Sequence, residues 1–254
     1  MQEESALELL LKSNEFLHHL DIDRKTADLV FDRRTLKALY ELMSKQSVNY
    51  IDFPISSGKE SVVFKAYSNR KPVVIKIYKL STLRFSNIWK YIDGDHRFSK
   101  ERVNRSNIVN IWAKKEFTNL REFQKFGIPS PRPIAFHKNL LMMSYVGTKK
   151  SPAPMLRQID ADFQDLYEQV LKFTKIIYQD AKIVHADLSE YNILYHRKKA
   201  YFVDVGQSVP RDHPAAQYFL ERDIRNITNF FIKKGVNCQY DAMLREVMGP
   251  KTPE

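Results

Sequence analysis

The sequence predicts an α+β protein built in two parts, a smaller β-rich part followed by a mainly helical one. Residues 48–79 contain runs of β-branched and aromatic residues, "SVVFKAY" and "KPVVIKIYK", which are typical of strands. Residues 147–154 form a linker of Gly, Thr, Lys, Ser and Pro, and beyond it apolar residues recur mainly at helical spacing. We therefore expect a domain boundary at this linker.

The first 47 residues are predicted to form helices that pack on the rest of the chain. Leucines recur at helical spacing in "SALELLLKSNEFLHHL", residues 5–20, and in "DRRTLKALYELMSK", residues 32–45. Each segment begins with a residue whose side chain can cap a helix, Ser5 and Asp32.

Residues 48–146 form the predicted β-rich part, which starts with a hairpin over residues 48–79. Residues 81–108 gain charge and lose clear periodicity, and we expect a long, mobile, partly ordered insertion there. A helix follows at about 109–126 and ends at Gly127. The segment "PIAFHKNLLMMSYV" then reads as two strands with a turn near Lys138 and Asn139.

Residues 147–254 form the predicted helical part. Its main helices are expected at three places, residues 162–181, about 214–233 and 240–248. Two short strands are expected between the first two helices, at 192–195 and 200–204.

The composition is that of a globular protein with an excess of positive charge. The chain has 254 residues, 43% of them hydrophobic, and a formal net charge of +11, which favours polyanionic partners such as RNA. No apolar run approaches the roughly 20 residues that a membrane span needs, so we expect no membrane association and a cytoplasmic location. The excess is marked between Arg84 and Lys115, where eight cations stand against Asp93, Asp95 and Glu101; the eight are Arg84, Lys90, Arg97, Lys100, Arg102, Arg105, Lys114 and Lys115.

Three oxygen-bearing side chains are predicted to converge in the helical part. Asp187 and Asn192 lie five residues apart before a strand, and a short hairpin would bring Asp204 back beside Asn192. Asn192 and Asp204 offer the hard oxygen ligands that suit Mg²⁺, and Asp187 is then available as a base for an incoming hydroxyl. The alternative is that all three are polar turn residues that cap strand ends.

A phosphate-binding loop is predicted within "ISSGKESVVF", between two strands. Its backbone N–H groups, at Ser56, Ser57, Gly58 and Lys59, could approach a phosphate closely. The segment is neither a Walker A loop nor a G-x-G-x-x-G loop, and an ordinary hairpin turn is an equal alternative.

Three charged residues stand in apolar surroundings in the sequence. Lys76 lies in a strand of Val and Ile, and Glu116 shares a helical face with Trp112 and Leu120, so the two are predicted to pair; the alternative is unrelated surface charges. Asp223 shares a face with Phe219 and other apolar residues. We expect it to accept hydrogen bonds from the backbone of the 185–192 loop, and the alternative is an exposed position at the edge of that face.

A strand lysine, a helix glutamate, an Asp-x-x-x-x-Asn loop and a later Asp-x-Gly occur in the order of a protein kinase. The details resemble the RIO family of atypical serine/threonine protein kinases. "SSGKES" is similar to the phosphate loop of that family, "HADLSEYN" to its catalytic loop and "VDVGQ" to its metal-binding segment. The N-terminal 48 residues are too short for a winged-helix domain, so the resemblance is to a minimal, archaeal-like form of the RIO one subfamily.

The resemblance implies a bilobal protein-kinase-like fold, with ATP and a metal at the interface of the lobes and shortened activation and substrate-binding segments. It implies that Asp187 is the catalytic aspartate, with Asn192 and Asp204 holding Mg²⁺ or Mn²⁺ and His185 and Asp223 in supporting roles. Lys76 would contact the ATP phosphates and Glu116 would orient Lys76. The remaining ATP contacts would come from Ser56, Ser57, Gly58, Lys59 and Glu60 over the phosphates, and from Met143, Ser144 and Val146 against adenine.

The same resemblance implies a serine/threonine kinase or ATPase that acts in maturation of the small ribosomal subunit. Its partners would be the subunit precursor with its RNA and a protein substrate, and Asp204 could itself accept the phosphate. Two other functions stay open on the sequence. One is a small-molecule phosphotransferase of the aminoglycoside type, whose loop has the same spacing, and the other is a noncatalytic RNA-binding assembly factor gated by ATP.

Overall fold

The structure, a computed structural model, describes residues 32–82 and 85–250. These residues divide into two compact units. The sheet unit contains the described residues up to 87 together with 103–117 and 133–145, and the helical unit contains 88–102, 118–132 and the described residues from 146 onward. The helix predicted at residues 5–20 lies outside the described residues.

The sheet unit contains one antiparallel sheet of five strands in the order β1-β2-β3-β5-β4. The strands are β1 (Val48–Ser57), β2 (Ser61–Ser68), β3 (Lys71–Tyr78), β4 (Pro133–His137) and β5 (Leu140–Ser144). Both predicted groups of strands are therefore confirmed, including the turn at Lys138 and Asn139. From Val73 to Tyr78, every residue of the central strand β3 is buried, so a charged side chain there needs a partner within the protein.

Helix α1 (Arg33–Lys45) confirms the second predicted helix. The Asp32 side chain caps it by accepting a hydrogen bond of 2.7 Å from the Thr35 backbone N–H. Its buried residues Leu36, Leu39 and Leu42 join a core cluster that also contains residues from the sheet. The helix thus covers one face of the sheet with its leucines.

The charged segment after β3 contains two elements that the sequence did not predict. Helix α2 (Phe85–Ile92) buries Ile88, Tyr91 and Ile92, and a 3₁₀ turn (His96–Phe98) follows it. In the helical unit, Tyr91 stacks on Phe219 at 5.2 Å between ring centroids. The predicted mobility of this segment stays a prediction, but its apolar positions have packing partners.

Four further helices account for most of the remaining chain. They are α3 (Ile108–Lys125), α4 (Phe163–Gln179), α5 (Ala216–Lys233) and α6 (Tyr240–Met248), all close to the predicted ranges. The first ten residues of α3 belong to the sheet unit and the rest to the helical unit. No described helix is both long enough and apolar enough to cross a bilayer.

Two small sheets in the helical unit position the loops of interest. Strand β6 (Ile183–Val184) pairs with β9 (Val209–Pro210), and β7 (Ile193–His196) forms the predicted hairpin with β8 (Lys199–Phe202). The loop 185–192 joins β6 to β7, and the turn at 203–208 joins β8 to β9. Both loops therefore connect the same two sheets, which brings their polar residues together.

Candidate active site

Lys76 and Glu116 form a buried ion pair in the sheet unit. The Lys76 Nζ lies 3.0 Å from Glu116 Oε1 and 2.8 Å from Oε2, and the residues are 5% and 1% exposed. Two buried charges are tolerated when each satisfies the other, and the bidentate contact does so. The predicted pairing is confirmed, and the alternative of unrelated surface charges is wrong.

Tyr78 is a third member of this cluster that the sequence reading missed. It lies two residues after Lys76 on β3, so both side chains leave the same face of the strand. Its hydroxyl donates a hydrogen bond to Glu116 Oε2, and Lys76 Nζ lies 5.1 Å from its ring centroid. The Glu116 carboxylate thus receives donors from two residues of one strand, and the alternation of the strand was the signal that could have predicted the second.

The predicted phosphate loop is the exposed connection between β1 and β2. The Lys79 Nζ donates to the Gly58 carbonyl at 2.7 Å, and the Thr82 hydroxyl donates to the Lys59 carbonyl at 2.6 Å, so the loop is tied to the chain that follows β3. A Cβ added at Gly58 would meet only the Ser61 carbonyl oxygen, at 3.6 Å. The fold itself does not require glycine at this position, and the open space is compatible with a phosphate that approaches the backbone.

Met143, Ser144 and Val146 lie at the end of β5 and just beyond it. Met143 is buried opposite Val74, and the Val146 carbonyl accepts a hydrogen bond of 3.0 Å from Ala153 N–H. Their contact with adenine stays a prediction.

Asp187 is held by two side-chain amides in the helical unit. Asn192 Nδ2 donates to the Asp187 backbone carbonyl at 2.8 Å and to its Oδ2 at 3.0 Å. Gln207 Nε2 donates to the same Oδ2 at 3.0 Å. The sequence reading quoted Gln207 in "VDVGQ" without giving it a role, because a neutral amide in a turn carries no signal of its own.

Asn192 and Asp204 offer side-chain oxygens of the kind that bind Mg²⁺. The Val203 N–H donates to the Asn192 carbonyl at 3.0 Å, so Asp204 follows directly on the residue that pairs with Asn192. Both N–H contacts of the Asn192 amide end on Asp187, which leaves Oδ1 as its atom for a cation, and Asp204 is exposed. No cluster of three His, Cys, Asp or Glu able to hold a metal exists among the described residues. Mg²⁺ does not require one, because it commonly takes one or two protein oxygens and completes its shell with phosphate and water.

Asp223 anchors the backbone of the 185–192 loop. Its Oδ2 accepts from Ala186 N–H at 2.7 Å and its Oδ1 from Leu188 N–H at 3.0 Å, while Arg222 donates to the Ala186 carbonyl. Burial raises the pKa of Asp223 to about 8, although the N–H donors of Leu188 and Ala186 oppose that rise. The predicted hydrogen bonds are confirmed and the exposed alternative is wrong, since Asp223 is 1% exposed.

His185 is a buried neutral residue at the start of the same loop. Its ring lies 6.3 Å from the ring centroids of Phe123 and Phe202, and burial lowers its pKa from about 6.5 to about 4. Its backbone carbonyl accepts a hydrogen bond of 2.9 Å from the Ser208 hydroxyl. His185 therefore supports the loop through packing and its backbone.

One cation of the charged segment is paired with a carboxylate and another is buried. Arg97 forms a bidentate pair with the buried Asp95, with bonds of 2.8 and 2.7 Å, and Lys115 is fully buried. Lys100, Arg102 and Arg105 are exposed. The charge excess of this segment overstates the number of cations that a polyanion could reach.

Comparison with known proteins identifies the family. The RIO domain family matches residues 62–243. RIO-type serine/threonine-protein kinase Rio1 of Thermoplasma acidophilum is 50% identical over 190 residues, which cover 75% of this chain and all of that protein. Rio1 of Methanocaldococcus jannaschii is 38% identical over 251 residues, which cover 98% of this chain and 84% of that protein.

Solved structures agree on the fold. The Rio2 kinase from Chaetomium thermophilum aligns with a TM-score of 0.64 at 23% identity, over 83% of this chain and 67% of that one. This likeness confirms the predicted kinase-like α+β fold, with a β-sheet part followed by a mainly helical part. Since the family match spans well over half of the sequence, the chain belongs to the RIO family, whose matched members are phosphotransferases named as serine/threonine-protein kinases.

Proposed function

We propose that this chain is an ATP-dependent phosphotransferase that uses Mg²⁺ or Mn²⁺, with Asp187 as its catalytic aspartate. The observation that carries the proposal is the Asp187 carboxylate held by Asn192 and Gln207, directly beside the turn that contains Asp204. A carboxylate fixed in this way can accept the proton of an attacking hydroxyl. The family match supports the same role.

The other site residues act on the phosphates. Asn192 and Asp204 would hold the metal ion, which when bound neutralises charge on the phosphate oxygens. Lys76 would place its ammonium on the ATP phosphates, while Glu116 and Tyr78 hold that ammonium in position. The backbone of residues 56–60 would cover the phosphates. These residues would position the phosphates, the metal ion and the Lys76 ammonium. Positioning and charge stabilisation are the main ways in which proteins catalyse phosphoryl transfer.

The phosphate acceptor is proposed to include Asp204 itself. Only residues 205–215 separate Asp204 from α5, which leaves little chain on which a protein substrate could align a Ser or Thr hydroxyl. The exposed Asp204 carboxylate could attack the γ-phosphorus, forming a bond from Oδ to phosphorus as the bond from phosphorus to ADP breaks; water would later hydrolyse the product. One structure of the Chaetomium thermophilum Rio2 kinase is an ADP/Mg²⁺-phosphoaspartate complex, which supports testing this route here.

The proposed setting is maturation of the small ribosomal subunit in the cytoplasm. The formal charge of +11 supports a partner with many phosphates, and the precursor particle with its RNA is such a partner. Phosphorylation of a Ser or Thr on a protein of that particle remains part of the proposal.

A single-turnover reaction with γ-labelled ATP, with and without small ribosomal subunits, tests the function. We expect label on the chain that is stable to acid and released by hydroxylamine, and borohydride reduction followed by mass spectrometry should locate it at Asp204. Label only on Ser or Thr would remove the aspartyl route and leave an ordinary protein kinase. Label on an added aminoglycoside would favour a small-molecule phosphotransferase, and no turnover at all would favour a noncatalytic assembly factor.

A further inference from the structure

The turn that carries Gln207 is fixed from two directions within the helical unit. It is a 3₁₀ turn, Val205–Gln207, that follows Asp204 directly. The buried Asn119 donates through Nδ2 to the Val205 carbonyl at 2.7 Å and to the Ser208 carbonyl at 3.1 Å. Helix α3 therefore holds the backbone on both sides of Gln207.

The same turn is also tied to the 185–192 loop. The Ser208 hydroxyl donates to the His185 carbonyl at 2.9 Å, two residues before Asp187. The Gln207 side chain thus starts from a backbone whose position relative to residue 185 is set by hydrogen bonds. A long, flexible side chain loses less freedom on binding when its own backbone is already fixed.

Gln207 and Asn192 donate to the same oxygen of Asp187 from two separate backbone segments. Asn192 belongs to the same loop as Asp187, whereas Gln207 comes from the turn after β8, and both donate to Oδ2 at 3.0 Å. One amide donor alone leaves the carboxylate free to rotate about that contact. Two donors from separate backbone segments restrict this rotation, and hydrogen bonds to a charged acceptor are stronger than neutral ones.

We infer that Gln207 is a positioning residue for Asp187. Gln207 extends from the turn that directly follows Asp204, and it aligns the Asp187 carboxylate with the phosphoryl-transfer site. The inference rests on the proposed function of Asp187. One turn then fixes both the position of Asp204, the proposed metal ligand, and the orientation of Asp187, the proposed base. Misplacement of a catalytic group by about 1 Å can reduce a rate by about 100-fold, so the loss of this contact should be visible in turnover.

The experiment compares Gln207→Ala and the isosteric Gln207→Glu with the wild type, using the full chain. Turnover of γ-labelled ATP gives kcat and KM, calorimetric titration gives the affinity for ADP with Mg²⁺, and urea unfolding gives stability. We expect kcat to fall by about 10- to 100-fold in both variants. KM, ADP affinity and the urea midpoint should stay close to wild type, because the side chain touches Asp187 and is only partly buried. Gln217→Ala removes a matched exposed amide from α5, bonded to Glu221, and should leave every reading unchanged.

The double variant with Asp187→Asn separates this inference from the proposed function. If Gln207 acts through Asp187, adding Gln207→Ala to Asp187→Asn should leave the residual rate unchanged within about twofold. Full turnover in Asp187→Asn alone would overturn the proposed function. If Asp187→Asn loses turnover, two results would overturn the inference alone. One is a wild-type kcat in Gln207→Glu, and the other is fully additive losses in the double variant. If the urea midpoint of both Gln207 variants falls together with kcat, the inference is also overturned, because the residue would then have a structural role.

Discussion

The two groups of candidate site residues are stabilised in different ways. In the sheet unit, Lys76 and Glu116 bring opposite charges together across 40 residues of sequence. In the helical unit, the carboxyl groups of Asp187 and Asp223 receive neutral donors, two side-chain amides in one case and two backbone N–H groups in the other. The first group is a pair of opposite charges, and the second is a pair of carboxyl groups oriented by neutral hydrogen-bond donors.

The difference predicts how each group tolerates change. Removing one partner of a buried ion pair leaves a charge without compensation, which commonly costs about 3 to 5 kcal/mol. Removing one donor from the half-exposed Asp187 carboxylate leaves the second donor in place and lets water replace the first, so the cost in stability is small. We therefore expect abrupt losses from changes in the pair and graded losses from changes to the donors around Asp187.

The largest effect is expected from Asp187→Asn. The substitution keeps the shape of the side chain but removes the acceptor for the substrate proton, and loss of a general base commonly lowers a rate by about 10² to 10⁴. Affinity for ADP with Mg²⁺ should remain, since Asn192 and Asp204 are unchanged. Turnover at the wild-type rate would show that the proton acceptor has been assigned to the wrong residue.

Lys76→Ala and Glu116→Ala should each reduce turnover strongly, and by a shared route, because both act through the position of one ammonium group. Each single loss should be close to that of the double variant. Tyr78→Phe removes one of the donors to Glu116 and should have a smaller effect. Lys71→Ala, an exposed lysine on the same strand, is the control. Strict additivity of the two alanine variants would contradict a functional pair.

Acid should destabilise the protein through His185, because its pKa is lowered to about 4 by burial. In the unfolded chain His185 binds a proton with a pKa near 6.5, whereas in the folded chain it stays neutral until about pH 4. Its contribution to the free energy of unfolding is therefore complete above about pH 6.5 and decreases as the pH falls toward 4. Between pH 7 and pH 5 the wild type should lose about 2 kcal/mol relative to His185→Gln, as measured by urea unfolding.

The comparison with His185→Gln is needed because Asp223 acts in the opposite direction. Burial raises the pKa of Asp223 to about 8 from 3.8, so its contribution decreases as the pH rises between those values. The slope of the wild type alone would therefore mix the two groups. An unfolding difference between wild type and His185→Gln that does not change with pH would contradict the buried, neutral assignment of His185.

The smallest effect is expected from the exposed cations Lys100, Arg102 and Arg105. Changing all three to Gln should weaken binding to small-subunit RNA and reduce the slope of log Kd against log salt by up to about 2, if each contacts a single-stranded phosphate. Arg97 is left out because its guanidinium is bound to Asp95. The matched control changes Arg33, Arg34 and Lys37, three exposed cations of α1. Equal slopes for the wild type and the first triple variant would place the RNA contact elsewhere.

Much of the fold could be predicted because its elements are long or regularly patterned. The strands of the sheet, helix α1 with its Asp32 cap, and the hairpin of β7 and β8 followed from apolar alternation and turn residues. Helix α2 could not, because eight residues with three buried ones give too few repeats for a period. In the site, Glu116 was predictable as the partner of Lys76 because a buried charge needs its opposite. Gln207 was not predictable, because a neutral amide is tolerated both at the surface and in partly buried positions. Its role depends on where the turn after β8 places its side chain.

The contacts of Tyr91 and Asp93 with residues 213–219, all inside the helical unit, also bear on how the chain folds. His213 donates through Nε2 to the Asp93 carbonyl at 2.7 Å, a contact between residues 120 positions apart, and Tyr91 stacks on Phe219. Contacts of such high sequence separation form slowly. A ribosome adding about 5 to 20 residues per second completes Asp93 roughly 10 s before His213 exists. During that interval Tyr91 lacks Phe219, the ring on which it stacks in the folded protein. The ring of Tyr91 is consequently open to contacts with other molecules while the later residues are being made.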